Sequence, residues 1–168
     1  PTSKFSFTHL ICAAPSPTAA IIAPRDPTLV PANESALAEV VLHIRVGDVL
    51  CVRPKNPHLH VQRQPPPVAE VARVVSAVAG TAPLRIIFGF HFKVCEAESY
   101  AYLRELATAT GAKLAAEAHP DVHFCHAVYA ALFIQGKGGY SRLVRVVRDA
   151  KRKPSVFVAA LADFGESF

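Results

Sequence analysis

A histidine, an arginine and an aspartate are crowded into HIRVGD, residues 43–48, directly after the apolar run AEVVL. Burying such groups at the end of a strand is costly unless they have partners. The planar Arg45 guanidinium matches a phosphate or carboxylate, and His43 leaves the same face of a strand because it lies two residues earlier. Gly47 would let a ligand approach the backbone, and Asp48 can accept from Arg45, a ribose or a loop amide. The segment indicates an anion site; the alternative is an internal Arg45–Asp48 ion pair beside a satisfied histidine.

A second polar segment, QGKGGYSRL, follows another apolar run. Gly138 and Gly139 precede a predicted helix whose first turn contains Ser141, so free amides, the helix dipole and a hydroxyl would together bind an anion. The other candidates for ligand binding in this segment are Lys137, Tyr140 and Arg142. The lysine precedes the glycine pair, and no GxGxxG follows the first strand, so neither a P-loop nor a dinucleotide fingerprint is predicted. The alternative is an ordinary glycine-containing turn between a strand and a helix.

The elements that would position these segments alternate between strands and helices. Strands are predicted at 38–46, 84–90, 112–118, 132–136 and 155–161, and helices at 67–80, 96–111, 122–131 and 139–151. This alternation predicts an α/β, Rossmann-like fold with a mostly parallel sheet of about five strands. Both polar segments then fall at carboxyl ends of strands, where such sheets bind ligands. Residues 1–34 are predicted to form a proline-rich irregular arm on a domain spanning 35–168, with a loop at 51–67.

The two segments together resemble a known family. HIRVGD resembles the HxRxGD motif of the fucosyltransferase superfamily, which includes α-1,2, α-1,6 and protein O-fucosyltransferases. LFIQGKGGYSRL is similar to a later motif of that family, a strand followed by a small-residue turn, an aromatic residue and a serine. HVQRQPPP resembles the stretch that follows the first motif. The resemblance covers roughly residues 38–161 and implies the donor-binding, C-terminal half of a GT-B glycosyltransferase.

The resemblance also implies a reaction. The donor would be GDP-fucose or another GDP-sugar, transferred with inversion to a glycan or protein acceptor, with no required metal or cofactor. Arg45 and His43 would hold the pyrophosphate as catalytic residues, with Arg45 stabilising charge on the leaving GDP. Ser141 and the amides of Gly138 and Gly139 would lie on the other side. One departure is Ala131, where the family has an acidic residue before the second motif; an aspartate that holds the nucleoside would then be missing.

Two functional classes follow from these motifs. A true fucosyltransferase would act in the Golgi or secretory lumen. The alternative is a degenerate relative that serves as a structural subunit of a larger assembly or organelle, with a protein partner covering the open face. Because GT-B enzymes need a second α/β half to build the acceptor cleft, the isolated chain is expected to lack transfer activity. The absence of methionine, even at position 1, leads us to expect a processed or partial chain.

Composition argues against other classes. Of the 168 residues, 51% are hydrophobic and 18% are charged, which is typical of a globular and not a disordered chain. The net charge of +5 is scattered, no nucleic-acid recognition motif is present, and nucleic acid is not a predicted partner. The densest basic run, RDAKRK at 148–153, is predicted to be a solvated helix end. No apolar stretch is long enough for a membrane span.

Several other residues have types suited to chemistry but weaker patterns. The zinc-ligand types in HPDVHFCHA are His119, His123, Cys125 and His126. No metal site is predicted there, because Pro120 is expected to begin the helix after His119, and Cys125 and His126 turn away from His123. Solvated or helix-end roles are favoured for the remaining candidates, which are His58, His60, His91, Glu96 and Glu98.

The four cysteines, at 12, 51, 95 and 125, include no CxxC pair. Most lie in apolar segments, so free buried thiols are predicted. Three disulfide pairings remain open, because sequence does not choose among them.

Overall fold

The computed structural model of the protein describes residues 38–51, 64–91, 95–115 and 119–158. The predicted arm 1–34, residues 52–63 of the predicted loop, and with them His58 and His60 lie outside the described residues. The described strands are β1 (Val40–Gly47), β2 (Leu84–His91), β3 (Lys113–Leu114), β4 (Leu132–Gln135) and β5 (Ser155–Phe157). The described helices are α1 (Asp48–Cys51), α2 (Val68–Ala79), α3 (Glu96–Thr110), α4 (Pro120–Tyr129) and α5 (Gly139–Ala150).

The predicted α/β fold is confirmed. The five strands form one all-parallel sheet in the order β3-β2-β1-β4-β5. The predicted elements agree closely with the observed bounds, apart from α1, which sequence patterns did not indicate. Residues 116–118 and 159–161 of the predicted third and fifth strands lie outside the described residues. Glycines end two of the helices as predicted: Gly80 and Gly111 adopt positive φ values of 56° and 66° at the ends of α2 and α3.

Alternation along β1 separates two cores. Leu42, Ile44 and Val46 pack on one face with apolar residues of α2 and α3, and Val41 packs on the other with residues of α4 and α5. Helices therefore cover both faces of the sheet, as an all-parallel sheet requires. Because β1 is central and buried on both faces, its run of β-branched and aliphatic residues is continuous instead of alternating.

Arg148 corrects the prediction of a solvated helix end at 148–153. This side chain is completely buried. Its guanidinium donates to the main-chain carbonyls of Ala127, Val128, Ala130, Ala131 and Pro154 and to Ser155 Oγ. Carbonyls at the end of α4 have no partners within their helix and carry its negative dipole end. The carbonyls compensate the cation there, and the nearby Asp149 carboxylate adds to this, which is why a basic residue is stable inside the fold.

The cysteine prediction is partly wrong. Cys51 and Cys95 form a disulfide, with a Cα–Cα distance of 6.0 Å, whereas Cys125 is a buried thiol that is not part of a described disulfide, as predicted; Cys12 lies outside the described residues. The disulfide joins the end of α1 to the residue that precedes α3. These points converge because β1 and β2 are adjacent parallel strands, so their following segments leave the same edge of the sheet. Linear spacing alone does not show that convergence.

Candidate functional site

The site predicted from sequence lies where the strand order reverses. From β1 the chain builds β2 and β3 on one side, then crosses to place β4 and β5 on the other. In open α/β sheets the crevice outside the carboxyl ends of two such strands is the usual ligand site. His43 of β1 and Gln135 of β4 are register partners at this edge. The switch point therefore falls between the two polar segments singled out by sequence.

Two contacts bring the polar segments together. His43 Nδ1 lies 2.5 Å from Ser141 Oγ, a hydrogen bond between β1 and the first turn of α5. Arg45 packs its aliphatic stem against Gly138, where a Cβ would stand 3.4 Å from the Arg45 Cδ atom. The predicted convergence of the two segments on one edge is thus what the structure shows.

Burial sets the protonation state of His43. Its side chain is 6% exposed, and the Tyr140 ring lies 4.8 Å from the imidazole, centroid to centroid. Burial first, and then the neighbouring charges of His123 and Arg45, lower the pKa of His43 to about 3. The imidazole is therefore neutral at physiological pH.

Ser141 is also completely buried, so in this arrangement His43 and Ser141 satisfy each other. The geometry gives both a positioning role between β1 and α5. Their predicted direct contacts to a pyrophosphate, and a catalytic role for His43, stay predictions. Tyr140, another predicted ligand residue, contributes to the same packing: its hydroxyl donates to the Pro120 carbonyl 2.9 Å away, and its ring meets Phe124 edge to face.

Arg45 and Asp48 form the ion pair that was the alternative interpretation. The Arg45 Nη2 atom donates to both Asp48 carboxylate oxygens at 2.9 Å. The two side chains remain 30% and 22% exposed, so this pair is accessible at the sheet edge, unlike His43. A partly exposed pair of this kind contributes little to stability, and a dianionic phosphate can compete with Asp48 for the guanidinium.

Gly47 has a conformational role. Its φ of 86° lies in the left-handed region that favours glycine. Its N–H donates to Ser99 Oγ at 2.9 Å, and Ser99 in turn donates to the Cys95 carbonyl. This amide is engaged, so the structure ties the end of β1 to the start of α3; the predicted approach of a ligand to Gly47 stays a prediction.

The first turn of α5 faces the same edge. Gly138, its N-cap, has φ 112° and ψ 163° and makes no side-chain capping bond. That backbone conformation is accessible to glycine and strained for other residues. Gly139 follows with open space around its Cα, and the Arg142 amide is the first to bond within the helix, to the Gly138 carbonyl. The preceding first-turn N–H groups have no partner within the helix, and the exposed Arg142 side chain adds positive charge.

Sequence reasoning missed two residues beside this edge. Gly136 passes so close to β1 that an added Cβ would overlap the His43 carbonyl oxygen, so a glycine is required by proximity. Gln135 is 8% exposed, and its Oε1 is a buried side-chain atom without a hydrogen-bond partner. A polar residue that ends an apolar strand is the same signal that drew attention to HIRVGD, and it could have identified Gln135.

The remaining sequence candidates occupy other positions. Glu96 and Glu98 are exposed in the first turn of α3, and His91 ends β2. His119 caps α4, which begins at Pro120 as expected. Among residues 38–51, 64–91, 95–115 and 119–158, no group of three or more metal-ligating side chains is assembled.

No protein-family model matches the chain, and no curated protein matches it significantly. Within the part of the chain that the structure describes, no helix has the length and hydrophobicity to cross a membrane.

Proposed function

We propose that the chain binds a phosphate-bearing nucleotide ligand at the switch point between β1 and β4. The observation that carries this proposal is the meeting of a partly exposed arginine with a glycine-rich helix N-terminus at that point. Arg45 lies against Gly138, and the first turn of α5 has no side-chain cap. Helix N-termini and guanidinium groups both favour phosphate. The two anion-binding features lie on one edge of the sheet.

The finer proposal is that the ligand is a GDP-sugar, as the resemblance to fucosyltransferases implies. In that case Arg45 would stabilise the charge that develops on the leaving GDP, and His43 and Ser141 would hold β1 and α5 in register around the pyrophosphate. A glycan or protein hydroxyl would be the acceptor. The missing acidic residue at position 131 is a weaker argument against GDP-sugar binding than the sequence indicates, because Ala131 precedes β4. It lies at the opposite end of that strand from Gln135 and the proposed site.

A structural subunit is the second candidate function, and a specific observation favours it. The polar residues of HIRVGD have internal partners: His43 bonds Ser141, and Arg45 bonds Asp48. A degenerate relative with no ligand would retain the contact between His43 and Ser141 for stability alone, because both side chains are buried. The two candidates differ in one measurable respect, because a structural subunit gives no nucleotide-dependent change in stability.

Thermal unfolding with nucleotides tests the proposal. GDP at millimolar concentration should raise the melting temperature by mass action, and more than ADP or ATP does. In Arg45→Ala the shift should disappear, because a charge-assisted contact worth about 1.5–3 kcal/mol is lost. Arg145→Ala, which removes an exposed arginine further along α5, is the matched control and should keep the shift. Each variant is compared with its own melting temperature without ligand. An unchanged melting temperature of the wild-type chain in GDP would leave the structural role.

A further inference from the structure

Gln135 lies at the proposed site, and its side-chain oxygen cannot bind a phosphate oxygen, because both are acceptors. It ends β4 and is the register partner of His43 on β1, so the two side chains leave the same face of the sheet. That face carries Phe133, which packs with Val144 and Val147 of α5. The Gln135 carboxamide is therefore on the α5 side of the sheet, at the level of the first turn of α5, where His43 bonds Ser141.

The chemistry of the Gln135 oxygen restricts what can meet it. Oε1 is buried and has no hydrogen-bond partner, and a buried acceptor without a donor is costly. An ionised phosphate oxygen is itself an acceptor and would repel it. The His43 ring is neutral and places its Nδ1 on Ser141. The group that completes this site must bring its own donor.

We propose that Gln135 is a specificity-determining residue that accepts a hydrogen bond from a hydroxyl of the bound phosphate ester. This inference rests on the proposed function and extends it from phosphate recognition to the sugar beside the phosphates. The hydroxyl belongs to a ribose or to a sugar carried on the diphosphate, and the two sources share the same chemistry. A ligand that offers only phosphate would bind without satisfying Gln135.

Affinity measurements with four probes test this assignment. Pyrophosphate, 2′,3′-dideoxy-GDP, GDP and GDP-fucose are titrated into wild-type protein and Gln135→Met, which removes the amide at similar volume. If the donor is a ribose hydroxyl, the variant binds GDP about tenfold more weakly and dideoxy-GDP equally well. If the donor is on the carried sugar, only GDP-fucose binding weakens by about that factor. Pyrophosphate affinity stays unchanged in both cases.

The remaining outcomes overturn the assignment. Equal affinity of both proteins for every probe would show that Gln135 makes no ligand contact, while the proposed nucleotide site stands. A uniform loss across all four probes, pyrophosphate included, would show that Gln135 acts only through the fold. Failure of the wild-type protein to bind any probe would end both the proposed function and this extension of it. Removal of an unpaired buried acceptor should not lower the melting temperature; if Gln135→Met does not fold, Gln135→Leu takes its place in the titrations.

Discussion

At the scale of single residues, Arg148 is the clearest case of a charge that the fold itself requires. Its guanidinium is buried, and its bonds reach carbonyls at the end of α4 and before β5. Burial lowers the pKa of Arg148 to about 10, which leaves it charged at neutral pH. Any replacement must leave several buried carbonyls without a donor.

We expect Arg148→Ala to lower the free energy of unfolding by about 3–5 kcal/mol, the usual cost of removing one member of a buried polar network. Urea unfolding followed by circular dichroism measures the change. Arg145→Ala is the control, because Arg145 pairs with Asp149 on the exposed face of α5 and such pairs contribute less than about 1 kcal/mol. Equal effects of the two substitutions would contradict the role assigned to Arg148.

His43 makes stability depend on pH in a defined direction. Its pKa of about 3 in the folded protein lies below the value of about 6.5 expected in the unfolded chain. The unfolded chain therefore binds more protons between these values, and stability falls as pH drops below about 6.5, by at most about 1.4 kcal/mol per pH unit from this group. Burial also lowers the pKa of His126, although Glu39 opposes this shift, so His126 adds to the same slope.

Substitution separates the His43 contribution from the rest. The ionisable and polar groups around the ring are His123, Arg45, Tyr140 and Ser141. In His43→Asn the loss of unfolding free energy between pH 7.5 and pH 5 should be smaller than in the wild-type protein. His119→Asn, the same substitution at an exposed helix N-cap where asparagine also caps well, is measured as the matched control. If the unfolding free energy of His43→Asn falls with pH as steeply as that of the wild-type protein, the His43 imidazole is not buried in its neutral form.

At the scale of elements, Gly136, which directly follows β4, is packed tightly against β1. Its neighbour across the switch point is the His43 carbonyl, with which an added Cβ would overlap. This contact fixes how closely the end of β4 approaches β1, and through that spacing it sets the position of the α5 N-terminus.

Gly136→Ala should therefore destabilise the protein by at least about 1–3 kcal/mol, the usual cost of overpacking. Gly89→Ala is the matched control in β2, because an added Cβ there meets no atom within 4 Å, and it should be neutral within about 1 kcal/mol. Thermal unfolding of both variants checks the difference. If Gly136→Ala has the same melting temperature as the wild-type protein, the ends of β1 and β4 are further apart than described.

The elements themselves were predictable because their patterns are local. The β-branched run of β1 and the heptad-like spacing of Val71, Val74 and Val75 in α2 each depend on a few neighbouring residues. Strand order was not predictable, because no local sequence pattern determines on which side of β1 the fourth strand pairs. The same limit applies to Arg148, whose partners at 127 and 128 are 21 and 20 residues away, and to the disulfide. For the site, sequence identified the residues that meet, but burial decided which of them remain accessible.

At the scale of the whole molecule, the Cys51–Cys95 disulfide closes a long segment of chain. The two cysteines are separated by 44 residues, and the closed segment contains α2 and β2. In the chain-entropy description, a disulfide that closes a loop of this size lowers the entropy of the unfolded chain and so stabilises the folded protein by about 4 kcal/mol; measured values are often smaller.

A reductant should accordingly shift the urea midpoint of the wild-type protein downward, by an amount that corresponds to about 2–4 kcal/mol. The double variant Cys51→Ser/Cys95→Ser should unfold at the reduced midpoint with or without reductant. Cys125→Ala, which removes a buried thiol outside this disulfide, should retain the response. If the urea midpoint of the wild-type protein is the same with and without reductant, Cys51 and Cys95 are not joined by a disulfide.

The position of Arg148 also has a consequence for how the protein is made. A ribosome extends a chain at about 5–20 residues per second, so the Ala127 carbonyl, 21 residues earlier, is synthesised about one to four seconds before its donor. Until Arg148 is added, the carbonyls at the end of α4 lack the donor that they have in the folded protein. A nascent chain interrupted between these points would lack both Arg148 and β5. Because Arg148 also donates to Pro154 and Ser155, which are added after it, its full set of partners exists only once translation has reached β5.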